Sequence, residues 1–198
     1  MSKIQPDTVW TIGHSTRSIE EFIALLKHYQ IQAVADVRRF PGSRRLPQFG
    51  EDALKLSLKQ HNIDYLLLTE LGGRRRPAPD SVNIAWRNTS FRGYADHVRS
   101  EEFNTGMEKL RQLATQRRTT MMCAEVLWWR CHRSLVSDVL MIRGVKVLHI
   151  RDEKHLIEHP YTRPARLYRD ELTYDATKGE PLNEKERSNG IQTQLDFQ

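Results

Sequence analysis

The chain is predicted to be α/β, a single domain with a mainly parallel sheet covered by helices on both faces, plus a flexible C-terminal tail. Three observations predict this. Short apolar runs of strand length alternate with segments of helical period, the pattern of strands joined by helical crossovers. At 198 residues there is length for one well-buried core, or for one domain with a tail. Asp175 to Gln194 has almost no apolar content and cannot bury enough surface to offset its ordering entropy. The expected division is a domain over residues 1–170 and a tail over 171–198.

Thr8 to Ile12 reads as the first strand, leading through Gly13-His14-Ser15-Thr16 to a helix. Ser18 and Glu21 have capping-box spacing, and Ile19, Phe22, Ile23 and Leu26 form an apolar stripe. Gln32 to Val37 is a second strand with Asp36 and Arg38 at its end. Arg39 to Gly50 holds two prolines and two glycines and reads as a loop. Glu51 to His61 is a helix, and Asp64 to Leu68 is a third strand. Gly72 to about Thr89 has no period. It mixes Arg74-Arg75-Arg76 with Trp86, and an irregular stretch of that length in a compact domain reads as a functional loop. Phe91 to Val98 suggests a short helix, and Phe103, Met107, Leu110 and Ala114 a longer one. Met121 to Ala124 is a buried strand, and from Ser134 the spacing of Leu135, Val136, Val139 and Leu140 becomes helical. Val145 to Ile150 is a fifth strand, after which the period is lost.

The net charge is +6, arginine supplies most of the positive side, and the pI is near 9.5. Clusters such as Arg38-Arg39, Arg44-Arg45 and Arg74-Arg75-Arg76 suit bidentate phosphate or carboxylate partners, with nucleic acid the natural candidate. Cys123 and Cys131 are the only cysteines, too few for a disulfide framework, and read as reduced thiols. No run approaches a membrane span, and Met1 to Pro6 lacks a signal peptide's apolar centre, so no membrane association and a cytoplasmic location are expected. Neither a Gly-x-x-x-x-Gly-Lys loop nor a Gly-x-Gly-x-x-Gly fingerprint occurs, which disfavours nucleotide hydrolysis and dinucleotide redox chemistry.

Five motifs stand in order along the chain: Thr11-Ile12-Gly13-His14-Ser15, Asp36-Val37-Arg38 with Pro41 and Ser43, Leu71-Gly72-Gly73, Phe91-Arg92-Gly93-Tyr94-Ala95, and Met122-Cys123-Ala124-Glu125 with Cys131-His132-Arg133. This ordered set resembles the DUF-488 family, defined as a domain of unknown function. The resemblance runs from about Val9 to Ile150. It implies an α/β fold with the motifs near one sheet edge, and its association with damaged or alkylated DNA bases fits the basic composition.

His14-Ser15, Asp36-Arg38, Glu70, Cys123-Glu125 and His149-Arg151 are all expected at the carboxyl edge of the sheet, where parallel α/β folds bind ligands. The expected activity is that of a DNA glycosylase, a repair hydrolase cleaving the N-glycosidic bond of an alkylated base. An oxocarbenium-like sugar needs a carboxylate, here Asp36 or Glu125, and cations to hold the departing base, with an ion pair to Arg38 or a loop-capping role as the ordinary alternative for Asp36. A flipped base needs aromatic platforms and phosphate grips. Trp86, Tyr94, Trp128 and Trp129 supply the first, with core packing as their ordinary alternative. Arg38, Arg44, Arg45, Arg74 and Arg133 supply the second, joined at the edge by His14, Ser15 and His132.

One alternative is a cysteine-dependent enzyme of rhodanese or phosphatase type. Cys131, near a helix amino terminus and Arg133, is then the reactive thiol, and Cys123 a buried apolar residue. The Cys123 to Arg133 spacing is too long for a Cys-x5-Arg phosphate loop. Another alternative is a non-catalytic nucleic-acid-binding module. Cys123, Cys131 and His132 are potential zinc ligands, but their spacing matches no common zinc pattern, so neither metal nor cofactor is expected. DNA is the expected partner. Gln194-Leu195-Asp196-Phe197 resembles the peptides by which bacterial DNA-processing proteins dock on the sliding clamp.

Overall fold

The computed structural model describes residues 8–42 and 44–182. A sheet of six strands has the order β3-β2-β4-β1-β5-β6. Its first five members are parallel: β1 (Thr8–Gly13), β2 (Ala33–Asp36), β3 (Asp64–Leu67), β4 (Thr119–Cys123) and β5 (Lys146–Ile150). The sixth, β6 (Leu156–Glu158), runs antiparallel to β5. The expected α/β fold with a mainly parallel sheet is the fold observed.

Alternation along the strands divides the core in two. Val9, Ala35, Met121 and Val147 point to one face, where α3 (Thr89–His97), α4 (Glu101–Gln116) and α5 (Arg133–Ile142) cover them. Trp10, Val34, Met122 and Ile150 point to the other, under α1 (Ile19–His28) and α2 (Glu51–Gln60). With both faces covered, strand interiors carry little polarity, which is why they read as short apolar runs.

Local signals set the helix starts. Ser18 and Glu21 form both halves of the capping box on α1. Asn88 caps α3 and Ser100 caps α4. Helix α5 departs from this rule, because its N-cap is His132, whose side chain makes no cap hydrogen bond. The loop before α3 is fastened from below by Asp96, which accepts from Ala78 N, Ser81 Oγ and Asn83 Nδ2 at 2.9, 2.6 and 2.7 Å.

The expected tail boundary needs correction. Residues 171–182 are folded: β7 (Arg166–Tyr168), β8 (Glu171–Thr173) and β9 (Glu180–Pro181) form a second, antiparallel sheet. Tyr174 and Leu182 are buried against the core side that holds α5. A few well-placed apolar residues anchor a stretch whose average composition is polar. The clamp-like residues Gln194 to Phe197, and Ser43 of the second motif, lie outside the described residues. Among the described residues no helix is long and apolar enough to cross a membrane.

Candidate active site

Strands β1, β2 and β4 end side by side, with Gly13 level with Cys123 and Asp36 level with Met122. The chain leaving β4 must pass directly over the end of β1. A Cβ built on Gly13 would lie 1.9 Å from the carbonyl oxygen of Glu125, so only glycine lets the two backbones approach this closely. His14 N and Ser15 N then donate to Cys123 O and Ala124 O, both at 2.9 Å.

Over this junction opens a cavity of about 260 Å³. Of the residues expected at the site, Arg38, Arg74, Tyr94, Glu125, Cys131 and His132 line it. Cys123, expected at the same sheet edge, lines it too, as do Arg39, Phe40, Gly73, Phe91 and Arg130, which the sequence did not single out for the site. Arg39 and Arg130 had a usable signal, since each neighbours a motif arginine or cysteine.

The cavity's reactive feature is a pair of sulfurs. Cys131 Sγ lies 3.2 Å from Cys123 Sγ, 3.4 Å from Arg133 Nε and 3.6 Å from His132 Nδ1. His132 Nε2 donates to Val37 O at 2.9 Å, which turns Nδ1 toward the Cys131 sulfur, where the two can share a proton. Either sulfur can donate across the 3.2 Å contact, but Arg133 and His132 face Cys131, which assigns the negative charge to Cys131 and the proton to Cys123. Burial pushes the Cys131 thiol up; the Cys123 hydrogen bond, His132 and Arg133 outweigh it and hold the group well below the ordinary thiol range. Cys123 is pushed well above that range by its bond to Cys131, by burial and by the neighbouring thiolate. Cys123 is buried, as expected, and is also the partner of Cys131.

Asp36 does not face the cavity. It is fully buried; Oδ1 accepts from Arg38 N and Nε at 3.1 and 2.8 Å, and Oδ2 from Arg38 NH2 at 2.6 Å and Tyr65 OH at 2.8 Å. With both oxygens occupied, its work is to hold the Arg38 guanidinium at the cavity wall. For Arg38, burial favours charge loss, yet the Asp36 hydrogen bonds and charge prevail and raise its pKa. His14 stacks on Phe49 at 4.2 Å, donates from Nδ1 to Ser15 O and accepts at Nε2 from Arg38 NH1 at 3.3 Å. Burial, with Arg38 and Arg133 nearby, lowers the His14 pKa to about 4, leaving a neutral ring that props Arg38.

Arg133 is itself held by a buried ladder. NH1 reaches Thr11 Oγ1 at 3.5 Å, Thr11 Oγ1 is 2.7 Å from His149 Nδ1, His149 Nε2 is 2.9 Å from His159 Nδ1, and His159 Nε2 is 3.0 Å from Asp138 Oδ1. The acidic end fixes every direction. Asp138 can only accept, so His159 donates to it, His149 donates to His159, Thr11 donates to His149, and Arg133 donates to Thr11. NH2 of the same guanidinium bonds Glu125 O and so pins the loop bearing Glu125.

The remaining expected site residues lie elsewhere. Trp128 stacks on His149 at 4.4 Å and Trp86 on Phe91 at 4.7 Å, so both rings serve packing. Trp129 is 44% exposed and packs edge-on against Trp128. Arg44 and Arg45 are exposed and outside the cavity, as is half-buried Ser15. Glu70, on the same edge, pairs with Lys109.

A family model described as "Domain of unknown function DUF488" matches residues 18–140. That span contains every quoted motif except the first, which ends at Ser15. No curated protein and no solved structure matches the chain.

Proposed function

For this chain, which belongs to the DUF488 family, we propose a cysteine-dependent enzyme acting on an anionic substrate, with Cys131 as the nucleophilic thiolate. The observation that carries this is the setting of Cys131 Sγ on the cavity wall, within 3.6 Å of Cys123, His132 and Arg133. A nucleophilic thiol needs a stabilised anion and an approach path, and inert structural cysteines lack both. Arg38, Arg39, Arg74 and Arg130 around the same cavity make it attractive to carboxylate, sulfonate or phosphate groups. The amino terminus of α5, two residues beyond Cys131, adds favourable dipole.

The test compares alkylation of Cys131 by anionic iodoacetate and neutral iodoacetamide on the folded protein. Cys131 is expected to react through a midpoint below pH 8.5, faster with iodoacetate, an advantage that salt erodes. Equal, slow labelling by both reagents, at the rate of a denatured thiol, sinks the idea.

A second function, a glycosylase on alkylated DNA bases, is supported by Glu125, a residue that lines the cavity together with Phe40, Phe91 and Tyr94. Such an enzyme has its carboxylate next to a base-sized aromatic space with cations outside. Oligonucleotides bearing alkylated bases are the substrate for its test. Base release that Glu125→Gln abolishes while DNA affinity persists would favour it over the thiolate enzyme.

A further inference from the structure

Cys123 has no role in a thiolate nucleophile's first step beyond its hydrogen bond, yet its sulfur sits in van der Waals contact with that of Cys131 and lines the same cavity. We propose that Cys123 is the resolving thiol for Cys131, and that the substrate is an anionic compound bearing an S–S bond. This rests on the reading of Cys131 as the nucleophile.

The geometry selects the substrate class. Closing the 3.2 Å gap to a bond of about 2.05 Å needs a movement of about 1.2 Å, within the reach of side-chain rotation. Cys123 can therefore attack the Cys131 sulfur, but it is useful there only when that sulfur carries a leaving group. An alkyl group on Cys131 is not displaced by attack at sulfur. A second sulfur is.

In the first step Cys131–S⁻ attacks one sulfur of R–S–S–R′, forming Cys131–S–S–R and breaking the substrate bond, and R′–S⁻ leaves with the electron pair. In the second, Cys123 gives up its proton and its sulfur attacks Cys131 Sγ. The Cys123–Cys131 disulfide forms, the bond to R breaks, and R–S⁻ leaves, taking the proton as R–SH. The substrate gains two electrons and the protein loses two, so each further turnover consumes one equivalent of an external dithiol reductant.

The division of labour follows from the asymmetry of the pair. Attack on an incoming disulfide needs the thiolate to be present beforehand, and Cys131 has Arg133 and His132 beside it. Cys123 accepts no such support and stays protonated until the Cys131 charge is spent in the mixed disulfide. On the cavity side, Arg39, Arg74 and Arg130 provide for a substrate carrying carboxylates or sulfonate.

The experiment uses the full-length, reduced protein, freed of reductant and incubated at neutral pH with oxidised glutathione, an anionic disulfide. Wild type is expected to release two thiols per chain and to lose the mass of two hydrogens, with a Cys123–Cys131 disulfide found by peptide mapping. Cys123→Ser should release one thiol and retain one glutathionyl group on Cys131. Cys131→Ser should do neither at a comparable rate. If wild type and Cys123→Ser both stop at the same mixed disulfide, Cys123 is not a resolving thiol, although the nucleophile survives. No reaction with glutathione disulfide, while iodoacetate still labels Cys131, rejects the substrate class. Failure of both reagents removes the nucleophile itself. A stoichiometric zinc ion whose chelation exposes both thiols would overturn the proposal differently, making Cys123, Cys131 and His132 ligands.

Discussion

The hydroxyl of Tyr174 donates a 2.9 Å hydrogen bond to Oδ2 of Asp138, at the foot of the ladder that ends at Arg133 and Cys131. Asp138 is fully buried and accepts besides from Thr162 N at 2.9 Å, Thr162 Oγ1 at 2.6 Å and His159 Nε2 at 3.0 Å. Four donors satisfy both oxygens of this buried carboxylate, which in turn orients both histidines. Tyr174→Phe is expected to cost about 1–3 kcal/mol in urea unfolding, the penalty of a buried carboxylate with one donor fewer. A chain ending at Asp170 should lose considerably more, since β8, β9 and the Tyr174 ring go with it. An unchanged midpoint for the truncated chain would show that residues 171–182 add nothing to the core.

Asp36 and Glu125 are separable by stability. Asp36→Asn leaves the Arg38 guanidinium buried with a weaker partner and should cost about 3–5 kcal/mol. Glu125 is exposed, and Glu125→Gln is expected to stay within about 0.5 kcal/mol of wild type. Denaturant titrations of the two variants check this. Comparable small losses would mean that Asp36 is freer to act than its hydrogen bonds imply.

Gly73 guards the position of His132. A Cβ built there falls 2.7 Å from His132 Nδ1, so Gly73→Ala must push the ring off Val37 O or away from Cys131. The expected result is an alkylation profile for Cys131 whose midpoint moves up by about one pH unit, the loss of the His132 contact to the thiolate. Circular dichroism should show the fold retained. An unaltered alkylation profile would remove His132 from the account of Cys131.

Stability should fall on mild acidification. His14 is neutral in the native state down to about pH 4, whereas in the unfolded chain it takes a proton near 6.5. Below 6.5 the unfolded state therefore binds more protons, and folding stability drops as pH falls from 6.5, levelling out below about 4. For this group the loss is about 2 kcal/mol after discounting for solvent screening. His149, held well below its ordinary value first by burial and then by His159 and Arg133, acts in the same direction. Unfolding free energies measured from pH 7.5 to 4 should show this slope, and His14→Gln should flatten it. An equal slope in the variant would place the effect elsewhere.

Much of the architecture was legible before any coordinates. Parallel strands buried on both faces leave short apolar runs, and α1 announces itself through Ser18, Glu21 and its apolar stripe, because burial and capping are repeated at fixed local spacings. The clustering of motifs at the carboxyl edge followed from the same parallel order. Individual roles did not. Whether Asp36 meets a substrate or Arg38 depends on rotamers at a strand end, and whether a tryptophan binds a base or covers a histidine depends on which ring the fold brings to it, as His149 is brought to Trp128. The short strands β6 to β9 span two or three residues each and have no period to read. Composition alone therefore placed Tyr174 in a tail, although one buried ring and one hydroxyl anchor it. The sequence by itself determined the fold class, the sheet edge that carries the chemistry, and the basic character of its surroundings. Only the tertiary structure decided that Cys123 and Cys131 stand 3.2 Å apart and that a ladder from Asp138 aims Arg133 at them. Those contacts join residues whose separation along the chain carries no physical signature until the backbone has closed around them.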